Sequence, residues 1–162
     1  MKAIILSAGQ GSRLGHLVDD RPKCLIEFSG RTLLDRQLDT LEANGVHEVV
    51  VVTGFHDELV NEAIARRSGG PSVRTIFNPF YKVADNTGSL YMAREELAGD
   101  CLVWNGDTLV SGALMRRVVG NDRAGICVTI DRKESYDEDD MKVVEEGGRL
   151  KAIGKRLSDG VN

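Results

Sequence analysis

The chain has 162 residues, 41% of them hydrophobic, with a formal net charge of −4 at pH 7. This length can bury one sizeable core and predicts a single domain over residues 1–162, while the negative balance excludes the broad positive surface that a nucleic-acid backbone requires. Cys24, Cys101 and Cys127 are odd in number and far apart, which argues against a disulfide framework or a zinc site; with no membrane-length apolar run and no secretory pattern after Met1-Lys2, a cytoplasmic location is expected.

Taken in chain order, short runs rich in Val and Ile alternate with amphipathic stretches. Strands are predicted at Lys2–Ser7, Glu48–Thr53, Val73–Phe77, Cys101–Asn105 and Gly125–Ile130, each bounded by Gly, Asn, Asp or Pro. Leu33, Leu34, Leu38 and Leu41 repeat at helical spacing and stop at Asn44-Gly45; Leu59, Val60, Ile64 and Ala65 do so before Gly69-Gly70. Asn86 to Ser89 reads as a loop entering a capped helix through Leu90, Ala93 and Leu97, and Ser111 opens a shorter helix through Val118. Strands alternating with crossover helices make the class α/β, with a doubly wound, mostly parallel sheet. After Asp131 the pattern changes: Met141–Val144, a Glu-Glu-Gly-Gly turn and Arg149–Ile153 read as a C-terminal β-hairpin.

The segment Ser7-Ala8-Gly9-Gln10-Gly11-Ser12-Arg13-Leu14-Gly15 directly follows the first strand and precedes Pro22-Lys23. Gly9 and Gly11 let backbone N–H groups converge on anionic oxygens, and Arg13 and Lys23 add fixed positive charge, the composition of a triphosphate cradle; by glycine spacing alone the segment reads equally as a glycine-rich turn with surface cations. A dinucleotide fingerprint needs a glycine where Leu14 stands and an acid after the second strand, where the chain has Thr53-Gly54-Phe55. A P-loop needs a Gly-Lys-Ser/Thr tripeptide that does not follow. A nicotinamide-dependent dehydrogenase and a kinase-type ATP site are both disfavoured.

Leu6 to Leu14 followed by Pro22-Lys23 resembles the signature of the sugar-phosphate and choline-phosphate nucleotidyltransferases. Asn78-Pro79-Phe80-Tyr81, Asp85 to Leu90, Asn105-Gly106-Asp107 and Asp140 to Val143 continue the resemblance over nearly the whole chain and are most similar to the choline-phosphate cytidylyltransferase branch. The resemblance implies a Rossmann-like fold of the nucleotidyltransferase type and a nucleotide site made by Leu6, Ala8, Gly9, Gly11, Ser12, Arg13, Lys23, Asn86, Gly88 and Ser89. Arg13 and the loop would bind the triphosphate, Lys23 would reach the phosphate under attack, and Asn86 to Ser89 would lie against base and ribose. Asp107, just past the fourth strand at the carboxyl edge where open α/β sheets place ligands, would bind a catalytic Mg2+. Lys142 would hold the phosphate of the acceptor, with Lys155 a weaker candidate.

Other acidic and aromatic residues carry less. Asp131 reads equally as a turn residue, and Asp137 to Asp140 reads as a solvated acidic run. His16, His47 and His56 have no sequence partner that suggests a nucleophile and base. Phe80, Tyr81, Tyr91, Trp104 and Tyr136 could form an aromatic cage for a quaternary ammonium group, although core packing is the commoner use. The expected partners are CTP and a small phosphorylated acceptor such as phosphocholine, and the expected reaction is CMP transfer with release of pyrophosphate. Relatives continue beyond this C-terminus with much of the acceptor pocket, so the family's C-terminal acceptor-binding portion is expected to be lacking. A sugar-1-phosphate nucleotidyltransferase using another triphosphate, and a non-catalytic nucleotide-binding domain, remain as alternatives.

Overall fold

The computed structural model describes residues 1–10 and 21–157. They divide into two compact units, Met1–Asp122 and Arg123–Asn162. In the first, β1 (Lys2–Leu6) is followed by a small antiparallel pair, β2 (Glu27–Phe28) and β3 (Arg31–Thr32), and then by α1 (Leu33–Glu42). There follow β4 (Glu48–Thr53), α2 (Asp57–Ala65), β5 (Ser72–Phe77), α3 (Asn86–Met92), β6 (Cys101–Asn105) and α4 (Gly112–Val119). The sheet has the order β5-β4-β1-β6 with every pair parallel, so the chain winds outward from β1 in both directions.

Alternation along β1 builds both layers. Ala3 and Ile5 join Val49, Val51 and Trp104 against Leu34, Leu38 and Leu41 of α1, Val60 of α2 and Met115 of α4. Ile4 and Leu6 join Val50 and Val52 on the opposite face, against Ala93 and Leu90. Each fully buried Val, Leu or Ile among them contributes roughly 1.5–3 kcal/mol of transfer free energy. A strand without a solvent face has no polar position, which is why β1 and β4 read as unbroken apolar runs.

Local signals explain the helix ends. Thr32 caps α1 by accepting from the Asp35 N–H at 3.0 Å, and the chain leaves the helix through Asn44-Gly45 with Val46 N–H bonded to Leu41 O. Ser111 caps α4 in the same way, accepting from Leu114 N–H at 3.2 Å. α3 begins earlier than the sequence pattern suggests. Asp85 is its cap, accepting from Thr87 N–H at 2.8 Å, so Asn86 to Ser89 form the first helical turn instead of a loop before it.

The second unit contains the expected hairpin, β7 (Lys142–Glu146) and β8 (Arg149–Gly154), with an irregularity between Val144 and Glu145. The predicted strand at Gly125–Ile130 is not formed. Ile126 there is 97% exposed, and an alternating apolar pattern becomes a strand only where a neighbouring edge accepts its hydrogen bonds.

The amino end of the sheet is tied by charge. Lys2 contacts Glu96 at 2.7 Å and Glu48 at 3.2 Å, and Arg74 also bonds Glu96. Arg74 first, then Lys2, hold the Glu96 carboxyl down at about 2, below its ordinary 4.5. A depressed carboxyl stabilises the fold fully above its unfolded value and loses that contribution as pH falls through the folded one. Between about pH 4.5 and 2 the melting temperature should therefore fall, and Glu96→Gln should melt lower at neutral pH with a flatter acid limb. Parallel acid limbs for the two proteins in a thermal scan series would rule this network out as a contributor.

Candidate nucleotide site

The strand order reverses at β1, between β4 on one side and β6 on the other, and the chain ends of these strands make the crevice where such sheets bind ligands. Backbone bonds fix its floor. Ser7 N–H donates to Val52 O at 2.8 Å, Phe55 N–H to Ala8 O at 3.0 Å and Gly106 N–H to Leu6 O at 2.9 Å. These bonds hold the end of β1 between the ends of its two neighbours.

Two glycines permit that approach. A Cβ on Gly106 would stand 2.1 Å from Ser7 Oγ and 2.8 Å from Leu6 O; one on Gly54 would meet Tyr81 Cβ at 2.6 Å and Ala8 O at 2.7 Å. Gly9 differs, because among the described residues no heavy atom lies within 4 Å of the position its Cβ would take. The two crowded glycines serve the scaffold, where only a residue without a side chain fits.

A cavity of about 140 Å³ lies over this floor, lined by Leu6, Ser7, Gly9, Lys23, Cys24, Asn86, Asn105, Gly106 and Asp107. Lys23 reaches it from the short turn of Lys23–Leu25, and Asp107 from the end of β6; Lys23 Nζ donates to Asp107 Oδ2 at 3.3 Å. Their side chains are 30% and 51% exposed, so the pair is solvated and available for exchange with a ligand. Asn86 Nδ2 donates to Asn105 Oδ1 at 3.2 Å, which brings α3 to the same mouth. Cys24 lines the wall but is only 1% exposed, and burial pushes its thiol up to about 11, with the adjacent Ser7 hydroxyl and a backbone bond opposing the shift. That thiol is not a thiolate nucleophile near neutral pH. On the other side of the Lys23–Asp107 pair lies a more apolar hollow of about 420 Å³, bounded also by Ile26, Phe28, Leu33 and Leu109.

Of the residues predicted from sequence, Leu6, Gly9, Lys23, Asn86 and Asp107 line one cavity, with Ala8 buried beneath it. Ser89 is buried, and its Oγ accepts from Asn78 Nδ2 at 3.1 Å; Gly88 sits where a Cβ would come 2.4 Å from Ala84 Cβ. These two pack α3 in place. Gly11, Ser12 and Arg13 lie outside the described residues, as does His16. Lys142 opens β7 of the second unit, opposite Gly154.

The remaining candidates are accounted for locally. Asp137 Oδ1 accepts from the N–H groups of Asp139 and Asp140, Asp140 pairs with Lys133 at 2.5 Å, and Lys155 contacts Asp139 at 3.1 Å. Asp131 accepts from Arg132 N–H, His47 contacts Glu42 and His56 contacts Glu58. Trp104 is buried, Tyr91 lies under Arg94 at 4.7 Å, and Tyr81 pairs with Phe55 at 6.4 Å. These three rings each have a separate local partner or burial site. Sequence reading overlooked Gln37, whose signal was a polar residue inside the apolar stripe of α1, and it did not single out Asn105 as a partner for Asn86.

The family of the MobA-like NTP transferase domain matches residues 3–138. The chain is 35% identical over 124 residues to the CMP-5'-(3-aminopropyl)phosphonate synthase of Streptomyces rubellomurinus, an alignment covering 76% of this chain and 20% of that protein. It is similar to the structure of the CTP:phosphocholine cytidylyltransferase of Streptococcus pneumoniae, with 33% identity and a TM-score of 0.59 over 65% of this chain and 44% of that one. The inositol-1-phosphate CTP transferase of T. maritima shares the fold, with a TM-score of 0.82 at 24% identity over 98% of this chain and 65% of that one. The chain thus spans from a fifth to about two thirds of the length of these proteins.

Gly106→Ala tests the floor of the site. Overpacking of this kind costs about 1–3 kcal/mol, and the variant should melt several degrees lower and lose nucleotide binding. An unchanged melting temperature with full affinity would show that β6 does not need its close approach to β1.

Proposed function

This chain belongs to the MobA-like NTP transferase domain family, and from that premise we propose that it is a cytidylyltransferase that moves CMP from CTP onto a small phosphorylated acceptor. Phosphocholine, or a related aminoalkyl phosphate or phosphonate, is the favoured acceptor. The observation that carries the reading is the Lys23–Asp107 pair in the cavity that Gly9 also lines, at the switch point of the sheet. It joins a part-exposed cation and a carboxylate at the place where a triphosphate would lie. The named activities of the Streptomyces and pneumococcal relatives support cytidine as the base and a small amine-bearing acceptor.

The reaction asks little of a base. An acceptor phosphate oxygen, already ionised near neutral pH, attacks the α-phosphorus of CTP while the bond to pyrophosphate breaks in line. Catalysis then consists of bringing two polyanions together and neutralising charge as it redistributes. Lys23 Nζ, free to leave Asp107 for a phosphate oxygen, supplies a localised positive charge. Gly9 and Gly11 are assigned to the triphosphate through their backbone N–H groups, Arg13 is assigned to it as a second cation, and Asn86 is assigned to the nucleoside. Lys142 is assigned to the acceptor phosphate.

Asp107 fits a magnesium ligand by its chemistry. It offers an accessible oxygen, and Mg2+ is commonly held by one or two carboxylates with its other places taken by substrate phosphates and water. The bound ion supplies Lewis-acid neutralisation of the phosphates. Asp107 also keeps Lys23 in the cavity before substrate arrives.

Pyrophosphate release should be measured with Mg2+, each of the four nucleoside triphosphates, and phosphocholine, aminoalkyl phosphonates and sugar 1-phosphates. Release confined to CTP with an amine-bearing acceptor is expected; turnover of a sugar 1-phosphate with another nucleotide would replace this reading with that of a sugar nucleotidyltransferase. Protection by CTP against thermal unfolding without turnover would instead identify a binding domain. Lys23→Ala should reduce transfer by at least about 100-fold, the scale for losing one transition-state charge contact, with its melting temperature little changed. Wild-type turnover in that variant would remove Lys23 from the mechanism.

A further inference from the structure

Gln37 is the polar member of the buried stripe of α1. It is 0% exposed and shares its helix face with Leu34, Leu38 and Leu41. An amide in such a place is costly unless it is hydrogen-bonded, and an aliphatic side chain would satisfy packing alone. Its Nε2 donates to Asn105 O at 2.9 Å and to Thr108 O at 2.8 Å, carbonyls that bracket Gly106 and Asp107. The turn between them is closed by Thr108 N–H to Asn105 O at 3.2 Å and fastened to β1 by Gly106 N–H to Leu6 O at 2.9 Å. Asp107 is therefore presented by a turn anchored to β1 on one side and to α1 on the other. Among the described residues the Gln37 Oε1 has no hydrogen-bond partner, so there the donor end does this holding.

We propose that Gln37 is a positioning residue for Asp107: its amide clamps both carbonyls of the Asn105–Thr108 turn and so sets the direction from which the carboxylate meets a metal–triphosphate ligand. The inference rests on the assignment of Asp107 to the metal ion. Groups that orient a metal ligand from behind are worth about 10–100-fold in metal affinity when removed. A residue acting only on the general stability of α1 would instead weaken nucleotide binding with and without metal alike.

The test uses the full chain, Mn2+ as the metal probe and CTP. Free Mn2+ is titrated by electron paramagnetic resonance with CTP present, CTP binding without metal is measured by calorimetry, and amide exchange is followed at Gly106 and Thr108. Gln37→Met, which conserves volume and removes the donors, should weaken Mn2+ binding about 10-fold, leave metal-free CTP affinity within about twofold of wild type, and speed exchange in the turn but not in β1. Unchanged Mn2+ affinity, or an equal loss of metal and metal-free nucleotide affinity, would overturn the proposal. Asp107→Asn separates the two assignments. If that variant binds Mn2+ like wild type, the metal role of Asp107 fails and the Gln37 inference fails with it; if Asp107→Asn loses the ion and Gln37→Met keeps it, only Gln37 is removed. Should Gln37→Met not fold, Gln37→Glu keeps the shape, loses one donor at least, and carries the same expected direction and the same disproof.

Discussion

The architecture depends on the burial of β1 on both faces. Ala3 and Ile5 pack toward α1, α2 and α4, while Ile4 and Leu6 pack toward α3, and the strand has a parallel neighbour on either edge. A strand so enclosed can end only where its neighbours also end, and its first free backbone groups appear together with theirs. The crevice over Leu6 to Gly9 is the geometric consequence. Two glycines, one following β4 and one following β6, let the neighbouring chains come close enough to bond to it.

What occupies the crevice rim is set by residues far apart in the chain. Lys23 and Asp107 are 84 positions apart, and Asn86 reaches Asn105 from a different helix. The elements that deliver them are short and rigidly founded: a turn beside the first strand, the capped start of α3 and the end of β6. Gln37 adds a fourth element, since the interior of α1 reaches through the core to the turn bearing Asp107. The hydrogen bonds explain how this sequence holds these residues together.

The fold was legible where a short apolar run was bounded by turn residues. Glu48–Thr53 and Cys101–Asn105 have the bounds their apolar runs suggest, because such runs between Gly, Asn and Asp leave few alternatives. Gly125–Ile130 has the same local pattern and forms no strand, since pairing is a property of a neighbour and not of the segment. The start of α3 shifted for a local reason: Asp85 outcompeted the later residues as cap. Within the site, residue types were legible, as the glycine loop, Lys23 and Asp107 all drew notice. Their mutual distances were not, and the purpose of Gln37 was hidden because a polar residue in an apolar stripe announces a buried bond without naming its partner.

The pairing of Lys23 with Asp107 has a consequence for selectivity. Among the described residues, Lys23 and Asp107 stand side by side in the cavity, so the attraction of the lysine for a bare polyanion is offset by the carboxylate. An uncomplexed triphosphate gains the lysine and meets the carboxylate, whereas a triphosphate carrying its divalent ion satisfies both partners at once. On the proposed chemistry, the pair works as a filter on ligand form, favouring nucleotide as its metal complex over the free anion.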